Sequence, residues 1–476
     1  MHRSMTYAHR AYLAALVALL VALLLVPTSS AQPSRTDRPN IVVIFADDMG
    51  YGDIGVYGNP TIQTPHLDRM AAEGMKFTQF YSAASVCTPS RAALLTGRLP
   101  VRSGMASDKR RVLFPDSKYG LPHEEVTMAE VLKEQGYATA AVGKWHLGHL
   151  PEYLPTQHGF DQYFGIPYSN DMDRVVEGAW QGPFWDPKPE YWNVPLLRDT
   201  EEVERPVDQY TITQRYTVEA VDFVREHRNE PFFLYFAHSM PHVPLFASEA
   251  FAETSRRGLY GDVIEEIDWS VGQVLDAIRE EELAENTLVF FTSDNGPWLI
   301  FGTHGGSAGP LRDGKGTTWE GGMREPAIAW WPGHVPASTV SAAVSSTLDL
   351  LPTAVEISGA THPMNRMIDG VSLLPVLQDP RAEVREEMPF YRGETLYAYR
   401  RGPWKAHFIT QRAYLPDSNP IVHDVPELYH LEHDPSERHN IAAEHPDIVE
   451  AIRQAAERHR ATIQLVPSLL NARIEE

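Results

Sequence analysis

Runs of consecutive apolar residues recur along the chain, and each ends in a short polar cluster. Asn40–Ala46 (NIVVIFA) is nearly continuous and rich in β-branched residues, the pattern of a strand buried on both faces. It runs into Asp47-Asp48. Ala138–Val142 ends in Gly143-Lys144-Trp145-His146. Phe232–Ala237 is followed by His238 and His242, and Leu288–Thr292 by Ser293-Asp294-Asn295-Gly296. Ala327–Trp331 is one more short apolar stretch. Between these runs the period becomes helical. Thr64-Pro65 reads as the N-cap and first residue of a helix that reaches Glu73 and stops at Gly74. Thr127 and Glu130 fit a capping box opening Met128–Gln135. Val263, Ile267, Val271, Val274 and Ile278 keep helical spacing across Asp262–Glu282.

This alternation predicts an α/β fold, a large mixed but mostly parallel sheet covered by helices on both faces. Ligands in such sheets bind beyond the carboxyl ends of strands, so the four polar clusters are expected to converge. After about Arg392 the pattern changes. Leu396–Tyr399 and Trp404–Ile409 read as short strands around Arg401-Gly402-Pro403. Glu427–Leu431 reads as another, and Pro446–Gln464 as a helix. The expected organisation is one large α/β domain over 32–392 and a small antiparallel sheet plus helix over 393–476.

Residues 1–31 are set apart as a secretory signal: Arg3 and Arg10, an apolar run from Ala11 to Val26, then Ser29-Ser30-Ala31. The run is short for a membrane span, and no stable span is expected after cleavage. Hydrophobic residues make up 43% and charged residues 22%, which excludes a disordered chain. A net charge of −22 argues against nucleic acid and anionic membrane surfaces as partners. The single cysteine excludes an internal disulfide and a multi-Cys zinc site. With no glycosylation sequon, this composition leans towards a bacterial periplasmic or extracellular protein over a lysosomal one.

That cysteine opens Cys87-Thr88-Pro89-Ser90-Arg91. Thr88 reads as a cap and Pro89 as the first helical residue, which puts Cys87 at a helix N-terminus, where a thiol pKa is lowered. Arg91 is placed to turn back towards it. Read alone, the residue is equally a buried structural thiol. Read alone, too, Asp47-Asp48 is a cap or turn and Ser293–Gly296 a turn, although their hard oxygen donors suit Ca²⁺ or Mg²⁺.

The segment Cys87–Arg91, continued by Ala92-Ala93-Leu94-Leu95-Thr96-Gly97-Arg98, resembles the Cys-x-Pro-x-Arg signature of the formylglycine-dependent sulfatases. The resemblance covers nearly the whole chain after residue 31. Asn40–Tyr51 is similar to the family's opening strand, Gly143–Gly148 to its second signature and Leu311–Gly322 to its lysine-bearing segment. Leu428–Pro435 is similar to its C-terminal signature. Leu99–Arg102, Gly165–Ser169 and Lys405–Phe408 resemble the arylsulfatase branch.

The resemblance implies an alkaline-phosphatase-like fold and hydrolysis of the S–O bond of sulfate monoesters. It implies that a formylglycine-generating or other sulfatase-maturing enzyme oxidises Cys87 to Cα-formylglycine, whose hydrate attacks sulfur to give a covalent sulfo-enzyme. Asp47, Asp48, Asp294, Asn295 and the modified Cys87 are the implied metal ligands, for Ca²⁺ with Mg²⁺ as the alternative. Arg91, Lys144, His146, His242 and Lys315 are implied to surround the sulfate. In these roles Arg91 holds the diol and the sulfate, Asp294 is the base, His242 the proton donor to the leaving oxygen, and Lys315 neutralises charge. His146 takes the proton that expels sulfate. Ser169 and His407 are further pocket candidates. Trp145 is assigned to packing, and His242 is preferred over His238 by register. Trp180, Phe184, Trp185, Tyr191 and Trp192 read as packed surface loop or as an outer wall for sugars or aryl groups. The partners expected are a small sulfate ester or a sulfated glycan or lipid. A phosphodiesterase or phosphonate monoester hydrolase with the same residues, and a non-catalytic sulfated-glycan-binding protein, are the competing functions.

Overall fold

The structure, a computed structural model, describes residues 38–474 apart from 179, 364–365 and 416–417. The expected export signal lies outside the described residues. The strands are β1 (Asn40–Ala46), β2 (Met75–Tyr81), β3 (Ala138–Gly143), β4 (Gln162–Gly165), β5 (Leu196–Arg198), β6 (Glu201–Glu204), β7 (Phe232–Ala237), β8 (Thr287–Ser293), β9 (Arg324–Trp330), β10 (Thr339–Ser341) and β11 (Ser345–Ser346). They form one sheet in the order β10-β2-β9-β8-β1-β7-β3-β4-β5-β6, with β11 also on β2. Its centre, β8-β1-β7-β3-β4, is parallel throughout.

The sheet is therefore mixed and mostly parallel, as expected, with one refinement. The apolar stretch ending at Trp331 is β9, and it runs antiparallel to both β8 and β2. Strand β2 was not apparent from the sequence, because Lys76, Thr78 and Gln79 interrupt its apolar residues and a bulge lies between Phe77 and Phe80.

The two-residue period of β1 divides the core. Val42, Ile44 and Ala46 pack in a cluster with helices α1 (Pro65–Glu73), α4 (Ile212–Glu226) and α5 (Leu259–Glu280). Ile41, Val43 and Phe45 pack on the other face with α2 (Cys87–Thr96), α3 (Met128–Glu134) and α6 (Leu350–Ser358). The capping box of Thr127 and Glu130 is present. Thr64, by contrast, does not cap α1. Its hydroxyl serves Gly55 and Asp68, and the free N–H groups of His66 and Leu67 donate to Asp268 of α5, at 3.1 and 2.8 Å. Helix α2 likewise starts two residues earlier than expected. Cys87 is its first residue, Val86 is the N-cap, and Gly97 ends it in the left-handed conformation.

A second, antiparallel sheet runs β12 (Glu387–Arg392), β13 (Thr395–Arg401), β14 (Trp404–Thr410), β15 (Ile421–His430), followed by α7 (Pro446–Ala461). No helix among the described residues is long and apolar enough to cross a membrane.

Candidate active site

Four adjacent parallel strands deliver their carboxyl ends to one place. Asp47 and Asp48 follow β1, Asp294 and Asn295 follow β8, Lys144 follows β3, and His242 lies beyond β7. Cys87 arrives on the first turn of α2 after β2. Lys315 comes from the segment between β8 and β9. Gly143 makes one approach feasible: at φ +112° it sits where a Cβ would lie 1.7 Å from the carbonyl oxygen of Ala237, so only glycine lets the chain turn there. Asp48 and His146 also take left-handed backbone, at φ +66° and +58°, a strain of the kind found at functional sites.

The cluster is buried and densely paired. Lys144 Nζ donates to Asp47 Oδ2 at 2.6 Å and to Ser169 Oγ at 3.1 Å. Lys315 Nζ donates to Asp48 Oδ2 at 2.7 Å and lies 3.5 Å from Cys87 Sγ. Cys87 Sγ is also 3.5 Å from Asp47 Oδ1. Asn295 Nδ2 donates to Asp48 Oδ1 at 2.7 Å. Donor atoms of Asp47, Asp48, Cys87 and His242 all lie within 4.8 Å of one another, and Asn295 Oδ1 is buried without a hydrogen-bond partner among the described residues. Converging carboxylates plus an orphaned amide oxygen fit a hard divalent cation. Asp294 has other neighbours. Its Oδ2 takes Arg91 Nη2 at 2.9 Å and Nε at 3.1 Å, and its Oδ1 takes the Asp48 N–H at 3.1 Å.

Burial raises carboxyl pKa values here, and the cations oppose it. Asp48 is pushed up to about 7 by burial, with Lys315 pulling down and Asp47 and Asp294 adding to the rise. Burial and Asp47 raise Asp294 as well. At Asp47 burial also raises, but Lys144, His242, Arg91 and Lys315 together prevail and hold it well below the usual range.

Arg91 donates to Asp294 and to the carbonyl of Lys144 at 2.8 Å and lies 3.6 Å from Asp47 Oδ1, so it fixes Asp294 and the strand end. Two expectations are corrected. The Cys87 thiol is not lowered by the helix N-terminus. Burial raises it, reinforced by Asp294 and Asp47 against Lys144 and Lys315. His407 is not brought into the cluster. It lies on β14 in a second buried group of charges, its Nε2 2.7 Å from Glu437 Oε1 and its ring against Trp319. There Lys405 Nζ bridges Glu320 and Glu437 at 2.8 and 3.1 Å. Tyr81 and Arg324 take the other oxygen of Glu320.

The two site histidines have assignable tautomers. His146 Nε2 lies 2.9 Å from the carbonyl oxygen of Leu113, which can only accept, so Nε2 carries the proton and Nδ1 is a bare acceptor without a partner. His242 Nδ1 faces the carbonyl of Val243 at 2.6 Å and Asn170 Oδ1 at 3.1 Å, leaving Nε2 towards Asp48 at 3.7 Å. Burial pushes both imidazoles well below their ordinary range. His238 packs against Phe236 instead.

Sequence reading missed Asn170, which anchors His242, and the Leu113 carbonyl, which has no side-chain letter to read. Asn170 directly follows the Gly165–Ser169 motif, and that adjacency was the available signal. The aromatic stretch divides. Phe184 and Trp192 are core residues. Trp180 and Trp185 are exposed and rest on Phe301, with Trp180 also 6.1 Å from Trp298.

A model of the sulfatase family matches residues 39–360, and one of the C-terminal region of aryl-sulfatase matches residues 383–475. Human N-acetylgalactosamine-6-sulfatase is 43% identical over 467 residues, covering 90% of this chain and 87% of its own. Human arylsulfatase A is 43% identical over 473 residues, covering 92% and 89%. Among solved structures, PsFucS1 sulfatase from Pseudoalteromonas sp. is similar with a TM-score of 0.80 at 30% identity, covering 90% of this chain and 91% of that one.

Proposed function

The chain belongs to the sulfatase family, and on that premise we propose that it cleaves sulfate monoesters at the cluster centred on Cys87. That it is a sulfatase, a hydrolase of sulfate esters, follows from membership. The resemblance read from the arylsulfatase-like motifs is borne out, and it extends equally to a second kind of sulfatase.

The observation that carries our assignment of residues is the position of the Cys87 side chain, between Lys315 and Asp47, with Lys144 bound to that same aspartate. Buried cations held in place stabilise charge developing on sulfate oxygens and the leaving oxygen more than water does. A thiol raised by burial is a poor nucleophile, which favours the expected maturation. Once position 87 is oxidised to formylglycine by a maturing enzyme, its hydrate would supply the attacking hydroxyl. Asp47, Asp48, Asp294 and Asn295, with the side chain at 87, would hold Ca²⁺, or Mg²⁺ as the alternative, and the ion would orient the sulfate and acidify that hydroxyl.

The remaining work falls to the chain's own side chains. Asp294, fixed by Arg91 and raised by burial, is suited to accept a proton. His146 presents bare Nδ1 as the second proton acceptor. His242 is neutral before substrate binds, and a sulfate placed against Nε2 favours its protonation, which makes it a donor to the leaving oxygen. Lys315 and Lys144 stay close enough to neutralise that oxygen and the sulfate, and Ser169 holds Lys144 in place.

The ester is a sugar, lipid or aryl sulfate, and we place the enzyme outside the cytoplasm on the export-type N-terminal sequence. The test compares nitrophenyl sulfate, phosphate and phosphonate esters on matured enzyme. A higher kcat/KM for sulfate is expected, and a preference for the phosphonate ester would move the chain to the competing hydrolase reading.

A further inference from the structure

The chain carries a net charge of −22, yet two guanidinium groups stand together beside the lysine of the site. Arg111 Nη2 and Arg392 Nε donate to the same acceptor, the carbonyl of Gly316, at 3.2 and 2.9 Å. Gly316 directly follows Lys315. Neither guanidinium has a carboxylate partner among the described residues. Arg392 also contacts Gln411 and the ring of Tyr397, and Arg111 Nε is buried without a hydrogen-bond partner among the described residues. Asp108, which faces Arg392, gives its oxygens to the Glu394 N–H and the Thr395 hydroxyl. Burial pushes Arg392 down to about 10, and Arg111 adds to that shift. Two like charges sharing one neutral acceptor repel each other, and an anion lying between them removes that cost.

The same mouth has an aromatic side. Arg111 lies over the Tyr414 ring at 5.5 Å, and Tyr414 meets Trp298 at 5.1 Å. Trp298 is in turn 4.4 Å from Lys315 Nζ and 5.3 Å from the His242 ring. Tyr414 and Trp180 are 38% and 53% exposed, while Trp298 is 9% exposed and backs them, so Tyr414 is the ring of this face that is open to a ligand. Aromatic faces beside fixed cations suit a sugar ring that carries negative charge.

We propose that Arg111 and Arg392 form a second anion subsite, which takes a sulfate or carboxylate on the sugar next to the one being desulfated, while Tyr414, backed by Trp298, stacks that chain. The preferred substrate class is then an acidic glycan with at least two anionic groups. This rests on the sulfatase reading and adds a specificity to it.

The test measures kcat/KM of matured enzyme on nitrophenyl sulfate, a monosulfated disaccharide, its disulfated counterpart and its uronate-bearing counterpart. Wild type is expected to prefer at least one dianionic disaccharide by about tenfold or more, and the preference should weaken as salt rises. Which of the two is preferred identifies the anion. In Arg111→Gln/Arg392→Gln that preference should vanish, while nitrophenyl sulfate, which carries no second anion, changes little. Where the double variant fails to fold, Arg111→Gln alone is read against the same four substrates, and a reduced preference is expected. A wild type without preference, or a preference that survives in a folded variant, overturns the subsite. So does a uniform fall on all four substrates at an unchanged melting temperature. Failure of wild type on every sulfate ester would count instead against the sulfatase reading.

Discussion

Two buried groups of charges lie in this molecule, and they are built to opposite ends. Around Glu320 and Glu437 every carboxylate oxygen accepts a hydrogen bond from Lys405, His407, Tyr81, Arg324 or the Glu320 N–H. Burial would raise Glu320, but Lys405, Arg324 and Arg400 outweigh it and hold the carboxyl at about 2. Around Cys87 the groups crowd without closing. Asp48 is driven up to about 7, and Asn295 Oδ1 has no hydrogen-bond partner among the described residues. The first group pairs all four of its carboxylate oxygens, leaves only His407 Nδ1 without a partner among the described residues, and joins β14 to the segment that carries Lys315. The second leaves room for an ion and a substrate. Buried charge is therefore not itself the mark of a candidate catalytic site; a carboxylate driven up beside an orphaned amide oxygen is.

The sharpest way to break this contrast is one substitution made in each group. Lys315→Met is expected to lower kcat/KM by about 10²–10³-fold with a near-native melting temperature, because Asp48 readily takes a proton once its partner is gone. Lys405→Met leaves two buried carboxylates without their shared cation and is expected to cost about 3–5 kcal/mol of stability, with the folded fraction still active. Equal destabilisation by both would erase the distinction.

A smaller effect separates the groups by pH. Glu320 titrates lower in the folded chain than its ordinary 4.5, so its contribution is complete above that value and is lost as pH falls towards 2. Asp48 has the opposite sign. Its folded value lies above its ordinary 3.8, so the metal-free chain loses stability as pH rises from there through about 7. A divalent ion needs Asp48 ionised, so Ca²⁺ should raise the melting temperature more above pH ~7 than below it. Melting curves with chelator and with Ca²⁺ at several pH values check both signs. The smallest effect concerns His407: His407→Gln should leave kcat/KM for nitrophenyl sulfate unchanged, and a large loss would return this residue to the pocket.

The sequence was most legible where local rules act alone. The apolar runs of β1, β3, β7 and β8 and the capping box at Thr127 need only their own residues, and because parallel strands share an edge, the clusters after them had to meet. Partners chosen at long range were not legible. Asp268 caps α1 from 201 and 202 positions away, and Glu437 claims His407 from 30 positions away. The Cys87 pKa reversed because a helix terminus is a local signal and burial is a global one. Arg111, Trp298 and Tyr414 sit singly on loops, where no period marks them.

The central claim is that position 87, in its oxidised form, carries the reacting group. Peptide mass spectrometry across preparations matured to different extents tests it most directly. Turnover of nitrophenyl sulfate should rise in proportion to the fraction of position 87 present as aldehyde or its hydrate, and should extrapolate to zero where only the thiol remains. Full turnover by a preparation in which Cys87 is entirely unmodified would contradict the account.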